Sequence, residues 1–170
     1  MQFVVLSMLL REPLSSYDLR SRFTDVVSLF YSASLGSIQH ALRALGDLGL
    51  ITSQLDEGSA RGRRSHRITD AGRAAWRDWM LSPVTGAAAQ RTMLARVFFL
   101  GQLEDRSDRA AALALLRDRV DEDEANLRRL SESAAPVPAA HYQFATLDYG
   151  LRTLTLAGQW LDELTKELER

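Results

Sequence analysis

The chain has 170 residues, of which 21 are basic and 22 acidic, so its formal net charge at neutral pH is −1. With 46% hydrophobic and 25% charged residues it has an ordinary soluble globular composition, long enough for one large domain or two small ones. It contains no cysteine, which excludes disulfides, thiolate catalysis and cysteine metal sites.

The chain opens with an apolar segment, Phe3 to Leu10, which predicts a short buried helix that ends before Pro13. This segment is far too short to cross a bilayer. It also lacks the basic region and the small-residue cleavage site of a secretory signal peptide. We therefore expect a cytoplasmic protein that has no membrane partner.

Two further helices are predicted from their capping residues. In SSYDLRSRF, the Ser15 hydroxyl can cap the backbone amides of a second helix, and Asp18 suits its first turn. In SLGSIQHALRALGDLGLI, Ser34 is the natural N-cap of a third helix and Gly49 supplies its C-terminal stop. The exposed side of the third helix carries short or hydrogen-bonding groups, namely Ser37, Gln39, His40 and Arg43.

A hairpin follows, with extended arms at residues 50–55 and 64–69 around a glycine-containing tip. Four arginines and one histidine lie within seven positions there, with no acidic residue among them: Arg61, Arg63, Arg64, His66 and Arg67. Like charges repel at this spacing, so either an anionic partner offsets the repulsion or solvent screens an exposed turn. Residues 1–82 carry ten arginines against eight acids, whereas residues 83–170 carry eleven basic residues against fourteen acids. Binding of an anionic partner is therefore expected in the first half.

Asp70 begins a fourth helix, so the order is helix, helix, helix, strand, tip, strand, helix. This order is typical of a winged helix-turn-helix, in which the third helix enters the major groove and the tip is the wing. A linker with breakers at Pro83 and Gly86 follows. The sequence thus predicts a mainly α protein, with a winged helix and its small β-hairpin in residues 1–82 and a helical domain in residues 83–170.

Three helices are predicted in the second half. The first, RTMLARVFFLGQL, is expected to bury Leu94, Val97 and Phe98. The apolar face of the second consists of Leu113, Leu116, Val120, Leu127 and Leu130. The last helix carries a leucine stripe at Leu147, Leu151, Leu154, Leu161, Leu164 and Leu168. Because this stripe is longer than the core of the half needs, it predicts pairing with a second copy of the chain.

Several segments together resemble a known family. REPLSSYDLRSRF, SASLGSIQHALRALGDLGLI and GRRSHRITDAGRAAWRDWM resemble, in order and spacing, the winged-helix domain of the PadR family of transcriptional regulators. LDYGLRTLTLAGQWLDEL resembles the helical dimerisation region of the PadR subgroup with a virulence-activator-like C-terminal domain. The chain departs from the family pattern at Ser16, where glycine is usual, and at Gln39-His40, where Tyr-Pro is common. A base preference therefore does not carry over from relatives.

The resemblance implies a homodimeric regulator, most often a repressor, that binds a pseudo-palindromic operator in double-stranded DNA. Some members of the family bind planar aromatic effectors, so a small aromatic effector is a further candidate partner, and the resemblance leaves open whether this chain has one. It also implies that Tyr17 lies near the phosphate backbone, although a half-buried packing role fits that residue equally well. The candidate DNA contacts are Tyr17, Ser34, Ser37, Gln39, His40, Arg43, Arg61, Arg63 and Arg64. A winged helix that binds only other proteins is the alternative, and the basic wing argues against it.

Three tryptophans invite an effector-pocket interpretation, namely Trp76, Trp79 and Trp160. Tryptophans at helical spacing more often belong to a core, so core packing is the favoured interpretation and an effector pocket is the alternative. The acidic run DEDE lacks the spacing of a calcium loop, and the three histidines are scattered, so no metal site is expected. No nucleophile elbow, phosphate-binding glycine loop or paired-carboxylate arrangement is present, so neither an enzyme nor a cofactor is predicted.

Overall fold

The computed structural model describes residues 1–28, 31, 33–55, 63–86, 88–133 and 141–170. The chain divides into two compact units. The N-terminal unit consists of Met1–Ser82 and Gln90–Glu104, and the C-terminal unit consists of Pro83–Ala89 and Asp105–Arg170. None of the helices in the described part of the chain is long and apolar enough to cross a membrane.

The N-terminal unit has the predicted order of elements, with two additions, a short first strand and a fifth helix. Its helices are α1 (Gln2–Leu9), α2 (Ser16–Arg22, continued by a π-helical turn, Phe23–Val27), α3 (Leu35–Asp47), α4 (Asp70–Met80) and α5 (Ala89–Phe99, followed by a 3-10 turn, Leu100–Gln102). Its strands are β1 (Leu14–Ser15), β2 (Ile51–Leu55) and β3 (Arg64–Ile68). The fold is mainly α with a small antiparallel sheet, as the sequence predicts.

The sheet has the strand order β1-β3-β2, so the wing hairpin is paired to a third strand that the sequence did not reveal. In the hairpin, Ile51 lies opposite Ile68 and Leu55 lies opposite Arg64. On the other edge of β3, Leu14 pairs with His66 and Ser15 pairs with Ser65. The two-residue strand β1 therefore joins the base of the wing to the start of α2.

Capping groups fix where the helices of this unit begin. Ser15 forms a capping box with Asp18 at the start of α2, and Ser34 accepts a hydrogen bond from the backbone of Ser37 at the start of α3. Both predicted caps are confirmed. Thr69 caps α4 in the same way, through the backbone N–H of Gly72.

The core of the N-terminal unit is built around α1, whose residues Val4 to Leu9 are buried. One polar link crosses this core. The indole Nε1–H of Trp76 donates to the Ser7 hydroxyl at 2.8 Å, and that hydroxyl donates to the Phe3 carbonyl at 2.8 Å. Because both polar groups find partners, Trp76 is buried without an unsatisfied donor.

Helix α5 buries a different face from the one that the sequence predicts. Met93, Arg96 and Phe99 are buried, whereas Phe98 is exposed and Leu94 and Val97 are half-buried. The prediction for these last three residues is wrong because an arginine occupies the centre of the buried face. The guanidinium of Arg96 donates to the Ser82 carbonyl at 2.5 Å and lies over the Trp79 ring, 5.0 Å from its centroid.

This packing places α5 with the N-terminal unit, whereas the sequence-based domain boundary lies between residues 82 and 83. Arg96 links α5 to the C-terminal end of α4, since it contacts Ser82 and Trp79. The division into domains at residues 82 and 83 stays a prediction.

The C-terminal unit contains two long antiparallel helices, α6 (Arg106–Ser133) and α7 (His141–Glu169). Their buried contact includes Leu113, Leu116 and Val120 from α6 and Leu161 from α7. Leu127 is half-buried and Leu130 is exposed, so the predicted apolar face of α6 is buried only in its first half. Arg117 ties the pair together through its Nε–H, which donates to Asp162 at 3.0 Å.

Candidate nucleic-acid interface

Helix α3 separates a buried face from a polar one. Ile38 and Leu45 are fully buried, while Gln39, His40 and Arg43 are exposed on the opposite side. Gln39 and Arg43 are four residues apart and therefore lie side by side on the helix surface. A glutamine and an arginine presented this way have the donors and acceptors that read adenine and guanine edges in a major groove.

The two serines at the start of α3 take part in its cap. Ser34 Oγ accepts from the Ser37 backbone N–H at 3.1 Å, and Ser37 Oγ donates to the Ser34 carbonyl at 2.8 Å. Ser34 is exposed and Ser37 is half-buried. Their first role is therefore local, and any contact with a phosphate would add to this cap.

Arg63 stands at the base of the wing and is bound to α2. Its Nη2 donates to Asp18 Oδ2 at 2.6 Å, with 53% of the Arg63 side chain and 36% of the Asp18 side chain exposed. Arg64 is the first residue of β3 and is also exposed. Arg61 lies outside the described residues.

Asp18 is the acceptor at the centre of this arrangement. The same oxygen, Oδ2, also accepts from the Ser15 backbone N–H at 2.9 Å and from the Ser15 hydroxyl at 2.7 Å. Burial raises the pKa of this carboxyl, but the hydrogen bonds from Ser15 and the charge of Arg63 outweigh that effect and hold the pKa below its ordinary value. The carboxylate is therefore ionised at neutral pH.

Tyr17 precedes Asp18 on α2, and its side chain points into solvent with 68% of its surface exposed. The packing role that the sequence left open does not fit this placement. An exposed phenol next to the base of the wing can donate a hydrogen bond to a phosphate.

The leucine stripe of α7 lies largely against α6 of the same chain. Leu161 is 1% exposed, which corrects the expectation that it faces a second copy. The other five leucines of the stripe are half-buried, namely Leu147, Leu151, Leu154, Leu164 and Leu168.

A second apolar row on α7 was missed by the sequence analysis. Tyr142, Tyr149 and Leu156 are 81%, 72% and 67% exposed. They recur every seven residues and therefore lie along one side of the helix. This heptad spacing could have predicted the row from the sequence, but the leucines are more numerous and indicate a different face of the helix as the apolar one.

The tryptophans occupy different environments. Trp76 belongs to the core, Trp79 stacks on Phe3 with ring centroids 5.2 Å apart, and Trp160 is half-buried on α7. A cavity of about 330 Å³ in the N-terminal unit contains none of the three. It is lined by Met8, Arg11, Arg22, Phe98, Phe99, Gly101 and Gln102.

Comparison with known proteins assigns the family. Residues 5–78 match the PadR-like family of transcriptional regulators, and residues 91–169 match the virulence activator alpha C-terminal domain. The chain belongs to the PadR family. This PadR-family protein is accordingly a transcriptional regulator and not an enzyme.

Relatives of this PadR-family protein match it over nearly their whole length. The negative transcriptional regulator PadR of Bacillus subtilis (strain 168) is 27% identical over 175 residues, which cover 100% of this chain and 88% of the relative. The crystal structure of Bacillus subtilis PadR in complex with operator DNA is 21% identical, with 98% of each chain covered and a TM-score of 0.47. A PadR-like regulator from Bacillus cereus is 26% identical, with 99% and 97% covered and a TM-score of 0.44. The virulence activator AphA of Vibrio cholerae is 21% identical, with 99% and 97% covered and a TM-score of 0.43.

Proposed function

We propose that this PadR-family regulator is a homodimer that binds a pseudo-palindromic operator in double-stranded DNA and represses transcription. The observation that carries this proposal is the exposed polar face of α3, with Gln39 and Arg43 side by side, in the same unit as a basic wing. The name of the curated Bacillus subtilis relative, a negative transcriptional regulator, supports repression.

The proposed contacts divide into two kinds. Gln39 and Arg43 read base edges, with His40 beside them, because bidentate groups on a recognition helix can discriminate base pairs. Arg64 and Arg61 on the wing bind phosphates, as does Tyr17 at the start of α2, and these contacts position the protein without reading sequence. Ser34 and Ser37 add hydrogen bonds to the backbone near the start of α3. Arg63 contributes charge while it is held by Asp18.

A dimer is proposed because α7 presents an unpartnered apolar row. Tyr142, Tyr149 and Leu156 expose large apolar groups at heptad spacing, and the described residues of the chain leave this row uncovered. A second copy of the chain would cover the row. Two recognition helices related by the dimer axis would then reach half-sites about 34 Å apart, one turn of DNA.

Regulation by a small aromatic acid is also proposed, with the N-terminal cavity as the place where it binds. Phe98 and Phe99 form an edge-to-face pair with centroids 4.8 Å apart, and Arg11 supplies positive charge, whereas Arg22 is paired with Glu12. The side-chain oxygen of Gln102 is buried and finds no donor among the described residues. A ligand that combines a carboxylate, a flat ring and a hydroxyl would satisfy these groups.

The effector site is tested with benzoate and 4-hydroxybenzoate, which differ only in a hydroxyl donor. We expect 4-hydroxybenzoate to bind more tightly in calorimetry, because its hydroxyl can reach Gln102. Arg11→Gln should weaken both ligands. Equal binding of the two acids to the parent and to Arg11→Gln would place the effector elsewhere.

DNA recognition is tested by selecting binding sites from random duplexes and footprinting the best one. Gln39→Ala or Arg43→Ala should then cost about 1–3 kcal/mol on the selected operator and much less on random DNA. Equal losses on both duplexes would reduce these residues to backbone contacts. If the selection enriches no sequence and the chain shows no affinity for DNA, the protein-binding alternative for the winged helix replaces this proposal.

A further inference from the structure

We propose that Asp18 is the positioning residue of the wing. Its carboxylate holds Arg63 and so fixes the base of β3 against the start of α2, the helix that precedes the recognition helix. This inference rests on the proposed binding of DNA by the wing. It assigns a role beyond the helix cap to an acidic residue whose charge opposes the binding of DNA.

The arrangement of the strands explains why such a contact is needed. β1 is only two residues long, because α2 begins at Ser16. Its pairing with β3 therefore reaches Ser65 and no further toward the wing tip. Arg63 lies two residues beyond Ser65, and its bond to Asp18 continues the connection from α2 to β3 past the end of β1.

The carboxylate is itself held in place, which lets it act as an anchor. Asp18 Oδ2 accepts from both the backbone N–H and the hydroxyl of Ser15, at 2.9 and 2.7 Å. Ser15 in turn pairs with Ser65 of β3. Arg63 thus binds an acceptor whose rotamer is fixed by the capping box of α2, and the box and the strand pairing share one residue.

Stability alone does not account for the pair. Both side chains are partly exposed, and ion pairs of that kind contribute little to the free energy of unfolding. The effect of the ion pair on the orientation of the wing matters more than its effect on stability. That orientation decides whether the wing arginines and the recognition helix can contact one duplex at the same time. We therefore expect the effect of Asp18 in DNA binding rather than in overall stability.

Simple electrostatics and positioning make opposite predictions for Asp18→Asn. If Asp18 affected DNA binding only through its charge, removal of this negative charge beside Arg63 would strengthen binding to every DNA. If Asp18 positions the wing, the same substitution weakens binding to the selected operator although the protein becomes more positive. The sign of the change therefore separates the two.

The experiment measures dissociation constants of the full chain on the selected operator and on a random duplex at several salt concentrations. We expect Asp18→Asn to weaken operator binding roughly fivefold or more and to change binding to the random duplex much less. Asp121→Asn is the matched control, because it removes the same charge from another partly exposed Asp–Arg pair, on α6. It should change neither constant. Ser15→Ala removes the capping hydroxyl but keeps the Asp18 carboxylate and the backbone N–H that also holds it, so it should weaken operator binding by less than Asp18→Asn does.

A double-mutant cycle tests whether the two residues act together. The Asp18→Asn/Arg63→Gln protein should bind the operator no more weakly than Arg63→Gln alone. Additive losses would overturn the proposal, as would tighter binding of Asp18→Asn to both duplexes. Weakening by Ser15→Ala equal to that by Asp18→Asn would overturn it too, because the cap would then explain the effect.

Hydrogen exchange of the free protein supplies a reading that does not depend on DNA. Asp18→Asn should accelerate exchange of the backbone amides of β3 and leave those of α4 unchanged, whereas Asp121→Asn should accelerate neither. Unchanged β3 exchange would overturn the positioning role even if the chain binds DNA. Accelerated β3 exchange in a chain with no DNA affinity would support the positioning role and contradict only the proposed function.

Discussion

Gly72 occupies a place in α4 where a side chain has no room. A Cβ at this position would lie 2.1 Å from the Leu50 carbonyl oxygen and 2.8 Å from Ile68 Cγ1. The same Leu50 oxygen accepts from the Thr69 backbone N–H at 3.1 Å, so α4 and the start of β2 are in direct backbone contact. This contact gives a physical reason for the glycine in the Ile-Thr-x-x-Gly segment of the chain.

We predict that Gly72→Ala destabilises the N-terminal unit. The clash involves a backbone oxygen, which cannot move aside by rotating, so the free energy of unfolding should fall by about 1–3 kcal/mol or more. Gly46→Ala is the control, because no atom lies within 4 Å of the added methyl group in α3. That variant should be more stable by about 0.4–1 kcal/mol. Urea unfolding measures both, and equal stability of the two variants would contradict the prediction.

Asp18 gives a prediction for the dependence of stability on pH. Its pKa in the folded protein lies below the ordinary value of an aspartate carboxyl, because the hydrogen bonds from Ser15 and the charge of Arg63 outweigh the opposing effect of burial. The unfolded chain therefore binds more protons in acid than the folded chain does at this site. The contribution of the carboxylate is present above the unfolded pKa and is lost as the pH falls through the folded pKa.

The expected result is a smaller acid sensitivity of Asp18→Asn. The variant should be slightly less stable than the parent at neutral pH, and this small difference in the free energy of unfolding should shrink as the pH drops below about 4. Unfolding by urea across this range measures the difference. A gap between parent and variant that stays constant down to about pH 2 would show that the ionised carboxylate contributes nothing.

At the scale of the elements, the sequence predicted best where a local signal decides the structure. The caps at Ser15 and Ser34 were predictable because a hydroxyl just before an apolar helical pattern has few other roles. The polar face of α3 was predictable for the same reason. Helical periodicity and capping are properties of a few neighbouring residues, and the fold did not override them here.

The features that the sequence did not predict have a different cause, because each of them depends on contacts between residues far apart in the chain. β1 has two residues, too few to show an alternation, and it exists because β3 offers an edge. Helix α5 turns Arg96 inward because carbonyls near the end of α4 accept its hydrogen bonds, and burial lowers the pKa of this arginine to about 10. A pattern of apolar residues in the sequence predicts neither the pairing of β1 with β3 nor the hydrogen bonds of Arg96. The bond between Asp18 and Arg63 joins residues 45 positions apart and was invisible for the same reason.

The pairing of α6 with α7 gives a prediction about Leu161. This side chain is fully enclosed by its own chain, so Leu161→Ala should lower the free energy of unfolding of the C-terminal unit by about 2–5 kcal/mol. Leu130→Ala, at an exposed position on α6, should change it by no more than about 0.5 kcal/mol. Thermal unfolding followed by circular dichroism compares the two. A similar loss for both would mean that Leu161 is not buried within the protomer.

At the scale of the whole molecule, the grouping of α5 with the winged helix changes where the chain can be cut. Met93, Arg96 and Phe99 are buried within the N-terminal unit. A fragment of residues 1–104 keeps these contacts, whereas a fragment of residues 1–82 loses them. We predict that the longer fragment is folded and monomeric and binds DNA weakly, and that the shorter one melts at a lower temperature.

Calorimetry and light scattering on the two fragments test this prediction. Weak DNA binding by the longer fragment is expected because it lacks the gain from two linked half-site contacts. Equal melting temperatures would show that α5 adds nothing to the N-terminal unit and would favour the boundary between residues 82 and 83. A dimeric longer fragment would move the dimer contact out of the C-terminal half.

The last prediction concerns the dimer and follows from which side of α7 is covered. Because Leu161 is enclosed by α6, a charge there would disrupt the protomer and would say nothing about pairing. Tyr149→Glu and Leu156→Glu place charges on the exposed row instead, where the isolated protomer can solvate them. We expect the double variant to keep its helical content, to become monomeric at micromolar concentration, and to bind the operator as weakly as the fragment of residues 1–104. Light scattering gives the mass, circular dichroism the helical content, and operator titration the affinity. Lys166→Glu, an exposed charge change roughly a quarter turn around α7 from this row, is the control and should leave the dimer intact. A double variant that still dimerises, or a parent chain that is monomeric under the same conditions, would rule out this row as the dimer contact.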